Sequence, residues 1–510
     1  MILKDTSEIA LGGRLERSFS SRTADGPMLL RNIASMGGLN LFRSAIQFLM
    51  NIVLAGFISP SEYGLVVFTM PFITFISMLT DLGLSSSIVR HSDLTKQQAG
   101  SVISLVLTVG AVSATILALA SLTIQSATGL VGLQPIMMAM SGVVVLSIVA
   151  TPPRALLERQ LEYPLIARIE GGAVSISAFV SVGAVFHGAG VWAIVLYNGL
   201  MQMLRMVLFL HFARDAFVLN WRWRALAPML SFGGWVMLAN IINFAARNGQ
   251  NILIGIWLGA TQVGLFGLAY QFMLVPLMII AWPASSVLLA TLSRHRNEPG
   301  PFESTVCATC AITAALSFPA MGYFVFGLQY PLTTFMSPKW HSIPSIVSWL
   351  APLGAVQAIA AYNGVILMAK GEARLQFWTG MIGSGLTLVV FVVSLPFGLM
   401  ALVEAYVLTG FFVAAWFLGV AAKRAQLSIR RILASLLPGM SATIAGLVLV
   451  ELAVPLHGEL LWSWLASSFL YGAVVLSAFV LMRNRLLPYW RELVRERSVS
   501  ATVVPDEGVA

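Results

Sequence analysis

Two sets of polar side chains stand out in an otherwise apolar chain: Asn40, Arg43, Gln47 and Asn51, then Asn240, Asn243, Arg247 and Asn251. Their steps of three and four residues place each set on one face of a helix. Carboxamides beside guanidinium groups offer donors around a fixed positive charge, and guanidinium matches the paired oxygens of a phosphate or carboxylate. The chemistry on offer is reception of an anion. A charged residue deep in a membrane helix costs about 2.5–3.5 kcal/mol even on a lenient insertion scale. Both faces are therefore expected to turn toward protein or a water-filled cavity. The plainer reading is interhelical glue, but two cations with no facing acid speak against it. Asp81, Glu404 and Glu451 fall near the ends of apolar runs, so none is level with Arg43 or Arg247. Arg205 and Asp81 are secondary candidates. Arg205 is expected to reach toward the lipid headgroups, and Asp81 to serve as a local structural partner.

Nothing else in the chain has the spacing of a reactive centre. The six histidines are scattered without metal-ligand spacing. Cys307 and Cys310 share one apolar stretch with no second pair beside them, which suits packing better than redox or metal chemistry. No phosphate loop, nucleophile elbow or carboxylate pair is present. The expectation is a protein with no metal, no cofactor and no catalytic residues.

The elements that must hold the polar faces follow from composition. Of 510 residues 58% are hydrophobic and only 10% charged, against roughly 25% charged in a soluble domain. That excludes a water-soluble chain. Apolar runs of bilayer length, about 20 residues, number fourteen: 33–58, 64–89, 100–123, 136–153, 169–187, 191–213, 228–258, 264–289, 306–328, 344–368, 376–397, 400–420, 433–455 and 462–482. The fold class is all-α and polytopic. With residues 1–27 and 483–510 as cytoplasmic tails, all but four of the 30 basic residues fall on one side. Arg43, Arg205 and Arg247 lie within spans, and Lys339 lies opposite. The positive-inside bias thus accounts for the net charge of +9 and argues against nucleic acid as partner. The tail before Pro27 has no apolar core, so a cleaved signal peptide is not expected. Arg154 to Glu170 reads as an amphipathic helix on the cytoplasmic surface, and Lys339-Trp340 as an anchor at the opposite interface.

Shifted by 200 residues, the chain matches itself. Asn40, Ala45, Asn51, Ile52, Gly64, Leu65, Phe72, Met78, Ser85 and Ser86 coincide with Asn240, Ala245, Asn251, Ile252, Gly264, Leu265, Phe272, Met278, Ser285 and Ser286. Six spans separate the copies, so both run the same way through the membrane. That describes two pseudo-symmetric six-helix lobes around a central cavity, as in transporters working by alternating access. The expected boundaries are 28–213 and 214–420, followed by a helix pair at 421–482.

Several segments carry a family resemblance: Ile58-Ser59-Pro60-Ser61-Glu62-Tyr63-Gly64-Leu65, Asp81-Leu82-Gly83-Leu84-Ser85, Pro153 to Tyr163, Ser317-Phe318-Pro319, Pro338-Lys339-Trp340 and Ala369-Lys370-Gly371. As an ordered set they resemble the polysaccharide-transport (Wzx-type) flippases of the multidrug/oligosaccharidyl-lipid/polysaccharide exporter superfamily. The resemblance implies two six-helix lobes plus a C-terminal pair in a bacterial inner membrane. It implies a polyprenyl-diphosphate-linked oligosaccharide as substrate, with polysaccharide polymerase or export machinery as partners. A peptidoglycan lipid-precursor flippase and a multidrug/cation antiporter of the same superfamily stay open. A membrane glycosyltransferase or polymerase is disfavoured, because it would want catalytic acids or a large outer loop.

Overall fold

The computed structural model describes residues 26–81, 96–214, 248–336, 338–453, 461–484 and 487–488. Apolar composition over bilayer length leaves each segment no way to satisfy its backbone except internally, so it winds into helix. α1 is Gly26–Phe57, α2 Pro60–Asp81, α3 Lys96–Thr128, α4 Leu133–Arg159, α5 Tyr163–Phe186 and α6 Trp192–Ala213. Residues 248–258, the last part of the seventh expected span, form α7. α8 is Ala260–Arg294, with a wide π turn at Leu277–Ala281 after Pro276. α9 is Pro299–Phe326, α10 the short Gln329–Phe335, and α11 Ile343–Ala369. α12 (Ala373–Ser394), α13 (Leu399–Ala425), α14 (Ile429–Leu452) and α15 (Leu461–Leu481) complete the chain.

Twelve helices among the described residues are long and apolar enough to cross a membrane. Each falls on an expected span, and the 32-residue α1 covers the first. Short turns reverse the chain between neighbouring described helices, which gives the bundle one end rich in basic residues and one end poor in them, the connections 82–95 and 215–247 lying outside the described residues. The basic end carries Arg159, Arg294 and Arg424; the basic-poor end carries Ser59, Gly259 and Gln329.

Local sequence explains how the turns hold. At the first turn of the basic-poor end, Ser59 caps α2. Its Oγ accepts from the Glu62 amide at 3.3 Å, while Glu62 Oε2 accepts from the Ser59 amide at 3.0 Å. This reciprocal capping box is followed by Pro60 at the first helical position.

One expectation fails here. Arg154 to Glu170 is no surface helix: α4 continues to Arg159, Leu161 turns the chain with φ 59, and α5 resumes at Tyr163. The charges do not end these spans because they satisfy one another across α4 and α5, as described below.

Helices α1 to α6 pack among themselves, α1 on α5 and α4 on both α3 and α6. α11 is packed by α8, α9 and α13, and the α14–α15 pair lies against α9. The broad meeting between these groups is α2 against α8.

Candidate anion site

Glu170 sits two turns inside α5 and is buried, with only 4% of its side chain exposed. A carboxylate there is tolerable only if paired, and three arginines from three other helices converge on it. Arg154 Nε of α4 donates to Oε1 at 2.8 Å, and Arg205 Nη2 of α6 donates to the same oxygen at 3.1 Å. Arg43 Nη1 of α1 stands 3.9 Å from Oε2. Arg154 also pairs with Glu158 at 2.7 Å, and Arg205 Nη1 donates to Gln202 Oε1 at 2.7 Å. Arg205 Nε is buried with no hydrogen-bond partner among the described residues. A buried donor left unsatisfied beside surplus positive charge is a feature an arriving anion would complete.

The cluster revises the sequence reading. Arg43 has an acid beside it, and Arg205 is an interior partner of Glu170 rather than a residue reaching for headgroups. Glu170 and Arg154, which bound the segment expected as an amphipathic surface helix, lie instead in two packed spans. Their signal in the sequence is the mostly apolar flank of Glu170, with Ile166, Ala167 and Ile169 before it and Gly171 to Val174 after it, interrupted by Arg168.

Arg43 differs from its neighbours in being loosely held. Its side chain is 41% exposed, about 21 Å along α1 from Phe57 by helical rise. Gln47, one turn nearer the basic-poor end on the same face, is exposed as well. A guanidinium facing lipid at such a depth would cost about 2.5–3.5 kcal/mol. Asn251 of α7 is half-buried, with Oδ1 buried and lacking a hydrogen-bond partner among the described residues. Asn240, Asn243 and Arg247 lie outside the described residues, as do the side chains of Asn40, Asn51 and Asp81. Cys307 and Cys310 are buried free thiols.

Toward the basic-poor end α2 and α8 meet in a close seam. A Cβ on Gly64 would lie 1.8 Å from the Ala260 carbonyl oxygen, and one on Gly264 would lie 2.0 Å from that of Pro60. Only glycine permits this approach. Beside it, Gly267 receives Val67 and Gly255 receives Phe68. Gln271 Nε2 donates to the buried Tyr63 hydroxyl at 2.8 Å, and Phe48 meets Phe272 edge-on at 5.1 Å.

Trp340 belongs to this seam too. It is buried, packs edge-on against Tyr63 at 5.7 Å and donates Nε1–H to the Ile58 carbonyl at 2.9 Å. The expected interfacial anchor is thus a stitch between the 338–340 turn and the end of α1. Its indole has a protein acceptor in place of the expected headgroup position, while Pro338 and Lys339 are exposed.

Residues 53–345 match the family described as polysaccharide biosynthesis protein. The lipopolysaccharide biosynthesis protein WzxC of Escherichia coli (strain K12) is 26% identical over 334 residues, covering 64% of this chain. The teichuronic acid biosynthesis protein TuaB of Bacillus subtilis (strain 168) is 23% identical over 308 residues, covering 60% of it. The matches span 66% and 63% of those two relatives. Among solved structures, the lipid II flippase MurJ in an inward closed conformation aligns with a TM-score of 0.70 at 13% identity, covering 88% of this chain and 98% of that one. An inward-facing multidrug resistance MATE transporter aligns with a TM-score of 0.60 at 14% identity, covering 77% and 98%.

Proposed function

The chain belongs to the polysaccharide biosynthesis protein family, and on that premise we propose that it carries a polyprenyl-diphosphate-linked oligosaccharide repeat unit across a bacterial inner membrane. Movement runs from the basic end, taken as cytoplasmic together with both tails, to the basic-poor end. The unit then serves assembly of an exopolysaccharide, capsule or lipopolysaccharide. The observation that carries this reading is the half-exposed Arg43 beside two further arginines that share Glu170 with it. Sugars on such carriers hang from phosphates, the anions that guanidinium groups suit best. The relatives' names, a lipopolysaccharide and a teichuronic acid biosynthesis protein, support a glycan cargo.

Alternating access is the mode of movement in this reading, with lobes at 28–213 and 214–420 rocking about the site. In this reading the close α2–α8 seam is the barrier at the basic-poor end, and the site is loaded from the basic end. Arg43, Gln47 and Asn40 on α1, with Asn51 beyond them, form one half of the receiving surface. Asn240, Asn243, Arg247 and Asn251 form the other.

The test is complementation of a flippase-deficient strain, with surface polysaccharide and protein abundance measured together. Arg43→Ala should abolish most export at normal abundance. Arg43→Lys should restore part of it, because charge is kept and the bidentate fork is lost. Arg43→Glu should be worse than alanine. Export at the normal rate by Arg43→Ala would make the site wrong. Rescue of a strain lacking its peptidoglycan-precursor flippase, without rescue of polysaccharide export, would move the cargo to that rival.

A further inference from the structure

The two oxygens of Glu170 are used unequally. Oε1 accepts both close guanidinium bonds, from Arg154 at 2.8 Å and Arg205 at 3.1 Å. Oε2 has, among the described residues, only the Arg43 guanidinium at 3.9 Å, beyond hydrogen-bond reach. Arg154 and Arg205 are therefore committed to the carboxylate, while Arg43 is attracted to it and left unbound. Any anion that engages Arg43 must also lie close to Oε2, a fixed negative charge in a region where charges are weakly screened.

We propose that Glu170 is a positioning residue that stands in for the substrate's phosphate. It holds Arg43 aimed at the interior before loading, and it competes with the bound phosphate for Arg43 so that the cargo can leave. This rests on the anion site argued above and assigns that site its regulator. A transport site must bind strongly enough to load and weakly enough to unload. Three guanidinium groups without an internal carboxylate would satisfy only the first need.

The proposal predicts a change in the uncommon direction: removing a charged residue from the site should tighten binding. In purified protein in lipid nanodiscs, titrated with farnesyl diphosphate at fixed salt, Glu170→Gln should bind about tenfold tighter, the least expected for loss of a close repulsive charge. Export per molecule should fall at the same time, since release becomes slow. Glu170→Asp, which draws the carboxylate back from Arg43, should shift affinity the same way by less, and it carries the test if the Gln variant fails to reach the membrane. The double variant with Arg43→Ala should bind no tighter than Arg43→Ala alone, because the competition runs through Arg43. Unchanged or weaker binding by Glu170→Gln, equal tightening without Arg43, or failure of both Glu170 variants to accumulate would each overturn the proposal and leave Glu170 a structural tie. If Arg43→Ala binds the probe as well as the unmodified protein does, the anion site itself fails. If Arg43→Ala weakens binding while Glu170→Gln does not tighten it, only the competitor role fails.

Discussion

Replacing Gly64 with alanine should drive the protein out of the state sealed at its basic-poor end. The new Cβ would lie 1.8 Å from the Ala260 carbonyl oxygen, whereas a carbon and an oxygen in close contact stay about 3.3 Å apart. α2 and α8 must therefore part by roughly 1.5 Å, and the obstacle is helix backbone that cannot swing aside. Overpacking of this kind costs about 1–3 kcal/mol. Parting the helices also strains the Gln271–Tyr63 and Trp340–Ile58 hydrogen bonds, worth about 1 kcal/mol each. A total near 3 kcal/mol is about a 100-fold shift between two states. The state with the seam parted bears none of that penalty, so the folded amount should hold while the equilibrium moves. Spin labels on cysteines placed at the exposed Ser61 and Thr261, in a chain with Cys307 and Cys310 replaced, would report the separation by double electron–electron resonance. The unmodified seam should give a short distance and Gly64→Ala a longer one. Gly264→Ala should behave alike, and Gly142→Ala, where a Cβ meets nothing within 4 Å, should leave the distance unchanged. An unaltered distribution in Gly64→Ala at normal abundance would refute the seam as the barrier between states.

Arg247→Ala should reduce export as strongly as Arg43→Ala in the same complementation assay, and a normal rate would remove from the site the second polar set read from the sequence. Trp340→Phe keeps an aromatic ring but deletes the donor to Ile58 and part of the buried indole, so thermal stability in detergent should fall by at least about 1 kcal/mol. Trp340→Ala should fall further, and an unchanged melting point for both would return Trp340 to the role of a lipid anchor. Topology reporters fused after Ser59 and Gln329 should read outside and those after Asn297 and Arg424 inside; a reversed signal at Arg424 would sink the assignment of α12 and α13.

The helices were legible because bilayer length and apolarity leave few alternatives, and the span ends moved mostly where helix continued past the lipid boundary. The charges of Arg154 to Glu170 suggest a surface segment, whereas the structure buries Glu170 between packed spans. Whether a charge is buried depends on what faces it, and Arg43, Arg154 and Arg205 come from three helices whose mutual rotation no single segment encodes. The polar face of α1 was readable from spacing alone, whereas its carboxylate partner was not. Trp340 shows the same limit at longer range: its acceptor, Ile58, lies 282 residues away in the chain. The repeat made Gly64 and Gly264 visible as a pair, but resemblance between two segments does not say that they touch.

That they do touch, each against the residue that heads the other's helix, means the seam resembles the interface of a two-fold dimer, where a patch contacts its own copy. Pro60 and Gly64 face Ala260 and Gly264, their counterparts in the repeat. Elsewhere the halves of a duplicated chain are free to diverge, each answering to different neighbours. Here each half is the other's neighbour, so the tolerance of position 64 is set by the backbone at 260, and that of 264 by the backbone at 60. A change that thickens either copy acts on both halves at once, which makes this contact the place where the duplication constrains itself.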